Sequence, residues 1–305
     1  MGQMEDPGAS AMSGAEGRRY CGREFSGAEL AHIRGLLEIR PALGRVALSR
    51  RLCQDLGWLN ALGQPKEMSA RVALLRMEKD GLIHLPAPRT RNGRGRRRFV
   101  LTVASDPRPP VQGPVRALEP LRFQRVNGGK LSGLWNELIA RYHYLGYRPL
   151  SGAQMRYLVW SGDGQLLAAL GFGASAWQVQ ARDRYIGWTD RQRRAGLHRV
   201  VNNARFLILP WVQCRGLASR ILSGSLKALR TDWPLRYGYQ PVLLESFVEI
   251  PRFTGTAYRA ANWLRLGQTR GRGKLEKQHL QIAPLKDVWV YPLHRDFRNI
   301  LCASS

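Results

Sequence analysis

Glu245 stands in the middle of an apolar run, PVLLESFVEI, where a carboxylate is costly unless it is paired or bound to a metal. If the run is a strand, side chains alternate, so Glu245, Phe247 and Glu249 share one face. Asp183, in RDRYIGW, is a third acid set among cations. Carboxylates that converge in a basic groove are what DNA strand cleavage needs. They hold Mg2+ or Mn2+, which activates the attacking oxygen and stabilises the leaving one. Asp183, Glu245 and Glu249 are the expected metal ligands. The competing reading of Glu245 is an ion pair with a buried arginine, Arg182 or Arg205.

A tyrosine can instead attack a phosphodiester and form a covalent link. Tyr142, Tyr144 and Tyr258 are available, and His143 lies between the first two. Tyr258 and His143 complete the catalytic candidates, with His143 read first as a structural or substrate contact. The six histidines are scattered and form no His-hydrophobic-His motif, which argues against a metal-and-tyrosine site. Asn202, Asn203 and Arg205 precede an apolar strand and are suited to hold phosphate or the neighbouring carboxylates.

Charge names the partner class. Lys and Arg total 48 against 22 Asp and Glu, a net charge of +26, and only seven of the 48 are Lys. Self-repulsion on this scale points to a polyanion, and arginine's planar fork suits phosphate and guanine edges. Double-stranded DNA is the expected partner, with possible single-stranded segments, and a homodimer or higher oligomer is expected on it. Cys21, Cys53, Cys214 and Cys302 form no CxxC pair, so neither a zinc finger nor a disulfide framework is expected. No apolar run reaches the roughly 18 residues of a membrane span. The start of the chain lacks the apolar core of a signal peptide. The expected location is cytoplasmic, nucleoid-associated.

The elements that must position these residues fall into two domains. Residues 1–22 read as a disordered tail. Residues 23–103 read as a winged-helix domain. Ser26 and Glu29 form a capping box ahead of a first helix. A second helix covers residues 45–56. A third runs from about 66 to 79, with Val72, Leu75 and Met77 inward and Gly81 as its C-cap. A short strand at 82–85 and a return strand at 99–103 flank an arginine-rich tip: Arg89, Arg91, Arg94, Arg96, Arg97 and Arg98. In that arrangement the third helix, with Arg71 and Arg76, enters the major groove and the wing tracks phosphates. Residues 104–127 read as a Pro-rich extended linker. Residues 128–305 read as an α+β domain with a mixed sheet. It runs helix, hairpin, strand, helix, strand, helix, strand, with residues 177–188 as an extra strand. Arg270, Arg272 and Lys274, spaced by glycines, read as a phosphate clamp.

Several segments carry a family resemblance: RDRYIGW (182–188), NNARFLILP (202–210), LASRIL (217–222), ESFVE (245–249), GTAYRAANW (255–263) and GRGK (271–274). With ALSRRLCQDLGW (47–58) and LLRMEKDGLIHLP (74–86), they resemble the DruA-like family (DUF4338). That family includes proteins of Druantia anti-phage systems and related insertion-sequence proteins described as transposases. Ser246 stands where Thr is expected and Ala257 where Cys is common. The C-terminal domain also resembles the acetyltransferase (GNAT) fold. Residues 213–218, QCRGLA, are similar to that fold's pyrophosphate-cradling turn, and Tyr258 falls near its general acid. The resemblance implies a transposase of a DruA-like insertion sequence, which recognises element ends and cuts or joins strands with divalent metal. Two alternatives are a non-catalytic DNA-recognition component of an anti-phage system and an acyltransferase acting on a nucleic-acid-bound substrate.

Overall fold

The computed structural model describes residues 17–39, 43–88, 101–271 and 283–303. The chain divides into two compact units near residue 97.

The first unit opens with a hairpin, β1 (Arg18–Tyr20) and β2 (Arg23–Phe25), turned by Cys21 and Gly22 at positive φ. This corrects the expected disordered tail over residues 18–22; residues 1–16 lie outside the described residues. Tyr20 and Phe25 are buried, and Phe25 meets Trp58 edge-to-face at 5.5 Å. Helix α1 (Gly27–Ile39) begins with the expected capping box. The Glu29 N–H donates to Ser26 Oγ (3.2 Å) and the Ser26 N–H to Glu29 Oε2 (3.0 Å). Helices α2 (Arg45–Asp55) and α3 (Glu67–Lys79) follow, and Gly81 closes α3 at φ +73°.

The inward face of α3 differs from expectation. Ala70, Ala73, Leu74 and Met77 are buried, while Leu75 is exposed. Small Ala side chains let α3 approach its neighbours closely, so the buried stripe is rotated from the one drawn through the larger residues. Residues 82–85 do not form a strand, although Ile83 and Leu85 are buried. The expected arginine-rich tip, with Arg89, Arg91, Arg94, Arg96, Arg97 and Arg98, lies outside the described residues. Of the return strand expected at 99–103, residues 99 and 100 lie outside as well, while Leu101 and Thr102 are in no strand and Val103 starts a 3-10 turn (Val103–Ser105) of the second unit.

The second unit is built on a seven-stranded mixed sheet, so the chain is a mixed α/β protein. Before the sheet, β3 (Val111–Gln112) is followed by a 3-10 turn (Val115–Leu118). Then come β4 (Arg122–Arg125), α4 (Gly129–Tyr142), β5 (Met155–Trp160) and β6 (Leu166–Ala174). Two short helices, α5 (Gln180–Ile186) and α6 (Asp190–Gly196), lead to β7 (Val200–Ile208), β8 (Val212–Gln213) and the long α7 (Leu217–Tyr237). β9 (Leu243–Glu249), α8 (Thr256–Ala260), β10 (Leu264–Gln268), β11 (Lys286–Pro292) and α9 (Phe297–Cys302) complete it. The sheet order is β10-β11-β9-β7-β6-β5-β4, antiparallel except for β7 beside β9.

Residues 104–127 are not a free linker. β4 is the edge strand of the sheet, and β3 pairs in parallel with β8. Val111, Leu118 and Val126 are buried in the main core. Phe123 lies where a Cβ on Gly224 would meet its ring at 2.7 Å, so α7 carries a glycine at that contact. Proline-rich composition signalled extension correctly, but apolar side chains between the prolines anchor the segment. Residues 177–188, expected as a strand, hold α5. Asp183 accepts the Val179 N–H at the helix start, and Gly187 ends the helix in the left-handed region.

The β7–β9 pairing covers only three pairs: Val200–Leu243, Val201–Leu244 and Asn202–Glu245. Beyond Asn202 and Glu245 the ladder stops. The side chains gathered there make up the candidate site.

Candidate functional site

On one side of that point lies a buried charge cluster. Glu245 and Arg182 are both fully buried. Glu245 Oε1 accepts the Ala176 N–H (2.8 Å), and Oε2 accepts Arg182 Nη1 (2.7 Å). Arg182 also donates to the Ala176 carbonyl (2.8 Å) and, through Nε and Nη2, to Asp183 Oδ1 (2.9 and 2.7 Å). Asp183 receives Trp188 Nε1 (3.1 Å) and the Val179 N–H (3.0 Å) as well. Burial pushes the Glu245 carboxyl up, against the pull of Arg182. Of the two readings of Glu245, the ion pair is the one formed, and its partner is Arg182 rather than Arg205.

This arrangement does not fit the divalent metal expected at Asp183, Glu245 and Glu249. Both oxygens of Glu245 are committed to donors, and Asp183 faces the same guanidinium. Glu249 lies four residues along the strand, about 13 Å away at the usual rise. It sits 3.6 Å from Arg252. Among the described residues, no three His, Cys, Asp or Glu converge to hold a metal ion.

On the other side, Tyr258 from α8 closes the gap between the diverging strands. Its hydroxyl donates to Asn203 Oδ1 (2.8 Å) and receives Ser246 Oγ (2.9 Å). Ser246 Oγ also lies 3.2 Å from the Asn203 carbonyl. These three are buried, and burial raises the Tyr258 phenol. Tyr258 therefore ties β7 to β9 and is not presented to solvent as an acid or nucleophile. The hydroxyl of Ser246 does this tying, and Thr at that position would carry the same group.

At the outer edge of this network are His143 and Tyr144, which follow α4. Their rings stack at 4.9 Å, Phe253 meets Tyr144 edge-to-face at 5.2 Å, and Arg252 covers Tyr144 at 5.1 Å. Arg205 donates Nη1 to the Ala204 carbonyl (2.7 Å), and its Nε is buried without a hydrogen-bond partner. Burial, then the nearby Arg205 charge, pushes His143 down to about 4. The neutral ring accepts the Leu145 N–H at Nδ1 (3.2 Å), a bond that protonation there would remove.

The structure thus brings His143, Arg205, Glu249 and, through Tyr144, Tyr258 into one neighbourhood. Asp183 and Glu245 belong to the separate buried cluster. Arg71 and Arg76 lie on α3 of the first unit. Arg270 is exposed after β10, and Arg272 and Lys274 lie outside the described residues. Sequence reasoning missed Arg148, Arg252 and Phe253. Only the spacing of Arg252 three residues after Glu249 could have signalled one of them.

The neutral His143 gives an expected result. Its pKa is depressed in the folded state, so its contribution is complete above the unfolded value near 6.5 and is lost as pH falls towards 4. The full effect is about 2–3 kcal/mol. Eight of the nine Trp lie in the second unit, so Trp fluorescence during urea unfolding follows that unit. Stability should fall between pH 6.5 and 4.5 more steeply in the parent than in His143→Gln. Equal slopes would mean that His143 does not titrate there.

The QCRGLA turn leads from β8 into α7. It is held by the β3–β8 pairing, and Arg220 on the first turns of α7 pairs with Glu119 (2.6 Å). No helix among the described residues is long and apolar enough to cross a membrane.

No curated protein matches the chain. Among solved structures, it is similar to the spermidine N-acetyltransferase of Vibrio cholerae in complex with CoA and spermine. Identity is 13%, coverage is 55% of this chain and 94% of that one, and the TM-score is 0.36. A chimera of that enzyme with hSSAT gives 13% identity, 59% and 98% coverage and a TM-score of 0.37. The family profile of the Druantia protein DruA matches residues 76–281. This corrects the expected transposase: the matching family is that of a Druantia protein, and the carboxylates on which strand cutting was argued are committed elsewhere. With more than half of its length matched, the chain belongs to the family of the Druantia protein DruA.

Proposed function

We propose that this chain is a DNA-binding protein of the DruA family, engaging double-stranded DNA through α3 of its first unit in the anti-phage setting of that family. The observation that carries this reading is the outer face of α3. Met68, Leu75, Arg76 and Lys79 are exposed and Arg71 is half-buried at helical spacing, while the opposite face is packed. Arg71 Nε is without a hydrogen-bond partner, and Arg76 and Lys79 are in no ion pair among the described residues. Cations interleaved with apolar side chains suit a groove that offers phosphates, guanine edges and thymine methyls. The order of three helices before an arginine-rich segment suits a winged helix. The net charge of +26 supplies the long-range attraction.

The test is anisotropy titration of labelled duplex DNA over a range of salt. Affinity should fall steeply with salt. Arg76→Ala with Lys79→Ala should weaken binding about tenfold or more and flatten the salt dependence by about two phosphate contacts. Unchanged affinity and slope in the double variant would remove α3 from the interface.

A further inference from the structure

We propose that the surface around Tyr144 in the second unit is a binding site for an unpaired nucleotide, with the base against Tyr144 and Phe253 and its phosphate on Arg148 and Arg205. This deepens the DNA-binding reading but rests on a different unit and on different residues.

Two independent features converge there. The first is aromatic surface left partly open: Phe253 is 46% exposed and meets edge-to-face with Tyr144, which is 36% exposed with Arg252 over its ring. A soluble chain seldom leaves two adjacent rings open without use. His143 stacks beneath Tyr144 and fixes its plane, and the bond from Leu145 N–H to Nδ1 fixes His143. The ring is therefore held ready, and stacking on it costs little ordering.

The second feature is unneutralised cation. Arg205 and Arg252 both lie near Tyr144, Arg148 lies near Arg205, and the one carboxylate near Tyr144, Glu249, is already taken by Arg252. Arg148 is exposed and makes no ion pair or hydrogen bond among the described residues. Arg205 is partly buried, with its Nε unpartnered and only a backbone carbonyl on Nη1. Burial, and after it the positive charge of Arg148, weighs against the Arg205 cation, and a phosphate between the two guanidiniums would offset both. One planar apolar face beside two uncompensated guanidiniums is complementary to a base carrying its phosphate. It is less suited to a duplex, whose bases are stacked away from such a platform.

A free mononucleotide and the unpaired end or loop of a strand share this chemistry. The experiment separates them with three probes, fluorescein-labelled dT12, dAMP and inorganic phosphate, against the full chain. Direct binding of dT12 should weaken about tenfold in Tyr144→Ala and several-fold in Arg148→Ala, with phosphate competing. Arg148→Ala removes an exposed side chain without bonds, so it does not threaten folding; matched Trp fluorescence checks Tyr144→Ala. Competition by dAMP at concentrations like those of dT12 assigns the site to a free nucleotide. Competition by strand alone assigns it to single-stranded nucleic acid. If dT12 binds all variants equally, or only Arg76→Ala with Lys79→Ala reduces its binding, the site is overturned while the duplex-binding reading stands. If the α3 variant loses duplex and dT12 still responds to Tyr144→Ala, the nucleotide site stands without that reading.

Discussion

Glu245→Ala should cost the second unit about 3–5 kcal/mol, read as a lowered urea midpoint in Trp fluorescence. The reason is what stays behind. Arg182 is fully buried and would lose its only partner on β9, and the Ala176 N–H would lose its acceptor. Arg182 keeps Asp183, but a buried cation left with half of its carboxylate partners is more damaging than the absence of the pair. The double variant, Arg182→Met with Glu245→Leu, tests this. Both charges are then gone, and the double should cost clearly less than the two singles added together, with a coupling of about 2 kcal/mol or more. Strict additivity would show that the two do not act as a pair. Any functional loss in a Glu245 variant must be weighed against this unfolding, because the same substitution would imitate the loss of a catalytic carboxylate.

How far the sequence showed this cluster depends on what each residue needs from distant chain. Glu245 announced itself, since a carboxylate in PVLLESFVEI must have a partner. Arg182 could be nominated as that partner because the basic residues in a buried segment are few. Their meeting, 63 residues apart, depends on β7 and β9 pairing in parallel for only three residues, which no local pattern encodes. Asp183 looked like a third metal ligand because proximity in type was read as proximity in space. It is instead the cap that lets α5 form where aromatic and β-branched residues suggested a strand.

The elements followed the same rule. The α1 capping box, the Gly81 stop and the hairpin at Gly162–Gly164 are local and were legible. Residues 104–127 were misjudged because their prolines are local and their partners are not: Val111 needs β8, and Phe123 needs the glycine face of α7. The nucleotide-site residues fall on the loop after α4, on β7 and on the loop after β9. Of these, Tyr144, His143 and Arg205 stood out in the sequence, and Arg148, Arg252 and Phe253 did not.

Gly255→Ala should be the most damaging single-methyl addition in the second unit, and a second glycine provides its control. Gly255 precedes α8 at φ +71°, and a Cβ there would lie 2.4 Å from Trp289 Cζ2. Trp289 is 1% exposed and stacks on Tyr258 at 6.1 Å, so it has no free space to yield into. Displacing it would tilt Tyr258 away from Asn203 and Ser246 and loosen the bridge between β7 and β9. Left-handed backbone costs an alanine about 1–2 kcal/mol, and overpacking a closed core adds about 1–3 kcal/mol. Gly238 ends α7 at φ +74° with nothing within 4 Å of its would-be Cβ, so Gly238→Ala carries the backbone cost alone. Urea unfolding of the two variants should place Gly255→Ala well below Gly238→Ala, and near-ultraviolet circular dichroism should report altered Trp packing only in the former. Equal midpoints would mean that Trp289 moves freely and that the Tyr258 bridge does not depend on the glycine. A lower midpoint for Gly255→Ala with weaker dT12 binding would tie the bridge to the platform at Tyr144, since both hang on the same divergence of β7 from β9.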